Sequence, residues 1–294
     1  MAKKAGKRAP RQTFAFVDTN IFLDFYRESN EATLSLLERL KPVRDRVICT
    51  YQVEMEFLKN RQRVLLDSLA KMKTYTSPVV PALFADSGTS KSLRELNKTA
   101  TKKSELLRKR IVNLLKAPSQ NDVVYQTLTE VFQSAAAHVL TRDMPIRHKI
   151  KRLAWRRFIL GYPPRKQGDT SIGDALNWEW LVHCGTILQG RILIVSRDSD
   201  YGCAVQSTAY LNDQLLQEYR DRVGPKKSIG ITTKLSDALK ELQVSVPQNE
   251  IDAEEKSLSG RGTTSATAAI APPAIAAIVK HIEGVVVEGP GHES

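Results

Sequence analysis

The chain has 294 residues, of which 41% are hydrophobic and 26% charged, enough apolar content for a real core and too much for wholesale disorder. Three cysteines (Cys49, Cys184 and Cys203) without a CxxC pair exclude a disulfide scaffold and a zinc ribbon, and they suit a reducing cytosol. No run of about 18 apolar residues is present, so no membrane helix is expected, and 44 Lys+Arg against 32 Asp+Glu give a net charge of +12 that predicts a polyanionic partner.

In chain order, residues 1–12 carry five basic and no acidic side chains and read as a flexible basic arm. Phe14–Val17 reads as a short buried strand that ends in the polar residues Asp18, Thr19 and Asn20. Leu34, Leu37 and Leu40 follow at helical spacing, then a second strand, Val47–Thr50, and a helix marked by Val53, Phe57 and Val64. Between about 62 and 160 the strand pattern stops. Ser92–Lys116 and Asn121–Leu140, the latter with Asn121 as N-cap, read as amphipathic helices of an insertion. A helix Ile172–Cys184, a strand Arg191–Val195, a strand Lys227–Thr232 and a helix marked by Leu235, Ala238 and Leu242 complete the body. Short unalternating apolar strands separated by helices predict an α/β domain with a parallel sheet over 13–247. Residues 248–294 have seven acidic and three basic side chains and a Pro-broken, small-residue composition, and they read as a disordered tail.

In an open parallel sheet, ligands bind beyond the carboxyl ends of the strands. Asp18, Asp198 and Asp200 all follow strands, Asp174 opens a helix, and Glu54 and Glu56 lie in the helix after the second strand. Each has an ordinary alternative: a turn former or N-cap for Asp18 and Asp198, a helix-dipole acid for Asp174, a solvated helix residue for Glu56. Carboxylates that converged there would repel unless a cation held them. An all-oxygen donor set favours Mg²⁺ or Mn²⁺ over zinc. Asn177 and Trp178 share a helix face with Asp174, where Asn177 could orient a metal-bound water or phosphate or serve as a packing contact. Trp178 and Trp180 read as core. Asp169 is a supplementary acid or a loop residue, and Gly173 would allow close backbone approach beside Asp174.

Basic residues cluster in two stretches: Lys91–Lys116 has nine against two acids, and Arg142–Lys166 has nine against one. The second interleaves Trp155, Phe158 and Tyr162 and runs into the Asp174 segment. Cations for phosphates with aromatics for bases are what a single-stranded nucleic acid groove uses, and the alternative is an ordinary amphipathic helix with a solvated basic face. The expected contacts are Lys149, Lys151, Arg152, Arg156, Arg157, Arg165 and Lys166.

The segments FVDTNIFLDFYR (16–27), YQVEMEFLKNR (51–61), GYPPRKQGDTSIGDALNWEWL (161–181), ILIVSRDSDYG (192–202) and IGITTKLSDALKEL (229–242) occur in the order found in PIN domain nucleases. The chain resembles the PIN-like branch with a long helical insertion. The resemblance implies a three-layer α/β/α fold with a parallel sheet of about four to five strands. It implies that Asp18, Glu56, Asp174 and Asp198 are catalytic and bind Mg²⁺ or Mn²⁺, with Asp200 as an outer contact and Asn20 as the polar residue after the first acid. Glu56 is preferred to Glu54 because Val53-x-x-Glu56-Phe57 fits the family pattern. The implied activity is endoribonuclease hydrolysis that leaves a 5′-phosphate and a 3′-hydroxyl, in a toxin-like protein, a defence effector or an RNA-processing factor. A homodimer or an inhibitory protein partner is compatible with it.

Three alternatives stand beside this reading: an RNA-binding or regulatory protein without activity, a structure-specific DNA nuclease, and a protein that acts through its tail. A phosphotransferase of the haloacid dehalogenase type needs a second Asp two residues after the first, where this chain has Asn20.

Overall fold

A computed structural model describes residues 12–28, 30–71, 79–164, 171–205 and 208–265. The expected basic arm up to residue 11, the tail from 266 onward, and Arg165, Lys166 and Asp169 lie outside the described residues.

The chain enters through β1 (Gln12–Val17), whose apolar residues are buried on both faces, as a central parallel strand requires. Helices α1 (Thr19–Asp24) and α2 (Glu31–Glu38) lead to β2 (Val47–Thr50), which runs directly into α3 (Tyr51–Lys71). Then come α4 (Gly88–Lys116), α5 (Pro118–Asn121), α6 (Val123–Phe132), the two-residue β3 (Val139–Leu140) and α7 (Ile146–Leu160). Helix α8 (Gly173–Ile187) precedes β4 (Gly190–Val195), the antiparallel hairpin β5 (Gly202–Val205) and β6 (Thr208–Leu211), α9 (Asp213–Val223), β7 (Ile229–Thr232) and α10 (Leu235–Glu241).

The strands form a five-stranded parallel sheet in the order β3-β2-β1-β4-β7, with helices on its faces in a three-layer α/β/α arrangement. Successive strands move from β1 outward through β2 to β3, then jump back past β1 to β4 and on to β7. The order therefore reverses between β1 and β4, and the loops after these two strands diverge around a crevice. Val17 pairs with Val195, which sets Asp18 opposite Ser196 as the strands end.

Three expectations need correction. The segment Asn121–Leu140 is not one helix: Asp122, not Asn121, caps α6 through Tyr125 N at 3.0 Å, and the helix stops at Phe132. Val139–Leu140 then pairs with β2, so the helical insertion contains an edge strand of the sheet. The tail does not begin as disorder at 248, because Gln248–Ser265 is a helix, α11. Its first turn is anchored by Glu250, which accepts from Arg39 Nε and Nη2 at 2.7 Å each, and Ile251 and Ala253 are buried. Composition suggested disorder; this bidentate ion pair and two apolar contacts supply the missing order. One compact unit extends to Ala253, and a second begins at Glu254.

A buried ion pair fastens the start of α6, within the insertion, to α3. Arg61 on α3 donates to Asp122 Oδ2 (2.6 and 2.8 Å), to the Leu114 carbonyl (2.7 Å) and to Tyr26 Oη (3.1 Å), while Tyr26 Oη donates to the same carboxylate oxygen at 2.8 Å. Arg61 and Asp122 are 4% and 2% exposed, so loss of either partner leaves an uncompensated buried charge. Arg61→Ala should lower stability by about 3–5 kcal/mol, read as a fall in Tm; a Tm within a degree or so of the parent would contradict this account of the insertion's attachment.

Candidate active site

Asp18 leaves β1 with extended backbone and caps α1. Its Oδ1 accepts from Thr19 N at 2.6 Å, and its Oδ2 accepts from Ser196 Oγ at 2.6 Å and Asn20 Nδ2 at 2.9 Å. One carboxylate thus caps α1 and reaches the loop after β4. Ser196, the first polar residue after β4, also accepts from Asp198 N at 3.0 Å, so one hydroxyl ties the loop after β4 to the acid after β1.

Glu56 comes from α3. Its Oε1 accepts from Gln52 Nε2 at 2.7 Å and its Oε2 from Thr19 Oγ1 at 3.3 Å, which brings it to the same crevice. Glu54, two residues earlier and so about 200° around the helix, lines a different cleft with Cys49, Tyr51 and Arg142. Asp174 sits in the first turn of α8. The residue before it must be small: a Cβ on Gly173 would stand 2.3 Å from Glu56 Oε1 and 2.9 Å from Gln52 Nε2. That glycine lets the α8 backbone close on the Glu56 carboxylate.

Asp174, Asp198 and Asp200 each offer a carboxylate oxygen within 4.8 Å of the others. Asp18 and Glu56 lie beside this triad, close enough for both to raise the Asp174 carboxyl electrostatically. Asp200, expected as an outer contact, is a member of the tight group, whereas Asp18 and Glu56 border it. Burial first, and then the repulsion of Asp18, Glu56, Asp198 and Asp200, pushes the Asp174 carboxyl up to about 8. Burial also raises Asp18 to about 6, against the hydrogen bonds from Ser196 and Thr19 that favour its charged form. A cluster of hard oxygens without His or Cys has the donor chemistry for a divalent cation such as Mg²⁺, Mn²⁺ or Ca²⁺.

Several supporting residues were not singled out from the sequence. Ser196, Thr19 and Gln52 hold the acids, and their signal was only their place: directly after a strand, next to an acid, and one turn from an acid, respectively. Tyr201 is fully buried against Phe16, and burial together with the acids keeps its phenol protonated. Asn20 braces Asp18, as described. Asn177, by contrast, is fully buried and accepts from Thr50 Oγ1 at 2.6 Å, so it joins α8 to β2 as a packing contact. Trp178 and Trp180 are core, as read from the sequence.

The basic face needs one correction. Lys149, Lys151, Arg152 and Arg156 on α7 are exposed, but Arg157 is buried and bonded to Glu179, Glu218 and the Pro163 carbonyl. It closes an internal ion-pair network with Arg222 and is not available to a nucleic acid. Lys149 adjoins His183, nine residues along α8 from Asp174 and so about 13 Å along the axis. Trp155 and Tyr162, each 46% exposed, lie on the later part of α7 and just beyond it.

A model of the PIN domain family matches residues 15–201. The chain belongs to the PIN domain family. No curated protein and no solved structure matches it. A PIN domain points to a nuclease that uses divalent metal, and the aspartate cluster is consistent with metal binding. No described helix is long and apolar enough to cross a membrane.

The electrostatics have a measurable consequence. In metal-free protein the Asp174 carboxyl holds its proton up to about 8, whereas the unfolded chain releases it near 3.8. The folded state therefore binds more protons between these values, and stability falls as pH rises through the window. Added Mg²⁺ or Mn²⁺ should raise Tm more at about pH 8 than at about pH 5, since the ion competes with those protons. Equal increments at both pH values would contradict this electrostatic account.

Proposed function

We propose that this PIN domain is an endoribonuclease whose metal-binding acids are Asp18, Glu56, Asp174, Asp198 and Asp200, with Mg²⁺ or Mn²⁺ as the working ion. The observation that carries the reading is the approach of Asp174, Asp198 and Asp200 to within 4.8 Å at the strand-order reversal, with two further carboxylates alongside. The bound ion would supply an activated water and charge stabilisation for in-line attack on a phosphodiester. Asp18 is held by Thr19, Asn20 and Ser196, and Glu56 by Gln52 and Thr19, so both carboxylates are oriented before any substrate arrives.

RNA as substrate draws on the family resemblance and on α7. Its exposed Lys151, Arg152 and Arg156 would neutralise phosphates, while Trp155 and Tyr162 offer faces on which unpaired bases can stack. Cations on the same domain would also offset the repulsion between the acids and a polyanion. Arg157 has no part in this role.

The test compares 5′-labelled single-stranded RNA with DNA of the same sequence. The parent should cut RNA with Mg²⁺ or Mn²⁺, yield 5′-phosphate products and stop with EDTA. Asp174→Asn and Asp198→Asn should abolish cutting while remaining folded, and Ser196→Ala should lose about 10–100-fold, the cost of removing a group that orients a metal ligand. Replacing Lys151, Arg152 and Arg156 with Gln should weaken binding and reduce its salt slope by about 0.7 per contact. Cleavage by Asp174→Asn at the parental rate would refute the site; preferential cutting of DNA would move the protein to the DNA-nuclease reading.

A further inference from the structure

A second cleft, of about 340 Å³, opens beside the acid crevice at the ends of β2 and β3. Its walls come from three places. Tyr51 and Glu54 stand on the first turn of α3, Phe132 and Gln133 end α6, and Thr141, Arg142 and Asp143 follow β3. Thr50 lines it as well, in register with Leu140.

Its relation to the acids follows from the sheet. Phe16 pairs with Ile48, so Thr50 ends β2 level with Asp18 at the end of β1, one strand spacing or about 5 Å away. Thr50 Oγ1 donates to Asn177 on α8, three residues and about 4.5 Å of helix from Asp174. The cleft floor is therefore tied to the acid crevice through the sheet and through α8, and α3 carries a residue of each, Glu54 and Glu56.

The walls carry an aromatic ring, a carboxylate and a guanidinium group. Tyr51 contributes an aromatic side chain, and Arg142 lines the cleft with it. Glu54 lines the same cleft, together with the buried Cys49. An ionised carboxylate only accepts hydrogen bonds and can accept two side by side. Among the four RNA bases, only guanine presents two adjacent ring-edge donor groups, N1–H and the exocyclic N2–H₂. Uracil has a single N–H, and adenine and cytosine each have one amino group next to an acceptor nitrogen that a carboxylate would repel.

We propose that this cleft is a nucleobase subsite in which Glu54 selects guanine in the nucleotide that flanks the cleaved bond, with Tyr51 as the stacking surface and Arg142 as a phosphate contact. As a specificity element the subsite rests on the nuclease reading above; as a binding site it does not. Glu54 and Glu56 then divide the work of one helix, the first facing the base and the second the acid cluster.

The four nucleoside 5′-monophosphates, titrated calorimetrically into the full chain, test the site without any cleavage. GMP should bind at least about tenfold tighter than AMP, CMP or UMP, the scale of one good bidentate contact. Glu54→Gln should erase that preference, and Arg142→Gln, at an exposed position, should weaken all four alike. Equal affinity for all four in the parent, or a guanine preference that survives Glu54→Gln, would overturn the proposal. Mapping of RNA cleavage ends provides the second arm: cuts beside guanine in the parent should spread to other bases in Glu54→Gln. If the parent cuts no nucleic acid, the nuclease reading fails while the titration still decides the subsite; cuts without guanine preference would overturn the subsite alone.

Discussion

The constraint that shapes this molecule is mutual repulsion among carboxylates that the fold forces together. Asp174 carries the burden, with burial and four acidic neighbours acting on it at once. Such an arrangement lowers stability unless protons or a cation neutralise it, and a fold would not be expected to assemble it without use for the charge. The surrounding hydrogen bonds fit that view. Ser196, Thr19, Asn20 and Gln52 do not neutralise the acids; they orient them. The protein thus holds its negative groups in a fixed geometry and leaves their charge to be met from outside.

Topology explains how segments so far apart in sequence meet. The reversal of strand order between β1 and β4 opens a crevice at the carboxyl edge, and Val17–Val195 pairing fixes Asp18 against Ser196. Helix α8 delivers Asp174 from the side, and Gly173 permits its approach to Glu56. The same edge continues across β2 and β3, where Tyr51, Glu54 and Arg142 line the neighbouring cleft. Cations fall into two groups: Lys149, Lys151, Arg152 and Arg156 on α7 are exposed, whereas Arg61 and Arg157 pair with buried carboxylates that hold the architecture together.

Much of this was legible in the sequence because strong local signals agreed with the fold. Phe14–Val17, Val47–Thr50 and Arg191–Val195 are dense apolar runs followed at once by polar residues, and they became the strands that carry the site. What escaped was decided by tertiary contact. Val139–Leu140 is too short to show a period and exists as a strand only because β2 offers it a partner. The start of α11 looked like low-complexity tail because Arg39, 211 positions away from Glu250, is invisible to composition. Arg157 looked like its neighbours on a basic helix, yet helical phase turns it inward to Glu179 and Glu218. In the candidate site the acids could be named from their positions after strands, but their bracing could not, since a serine after a strand is ordinary until its register with Asp18 is known.

On this proposal the clustered aspartates share a divalent ion. Titration of Mn²⁺ into metal-free protein, followed by electron paramagnetic resonance of the free ion, measures this directly and needs no substrate. The parent should bind saturably, and binding should be lost or weakened at least about tenfold in both Asp174→Asn and Asp198→Asn, with each variant still folded. Absence of saturable binding, or binding untouched by either substitution, would contradict it.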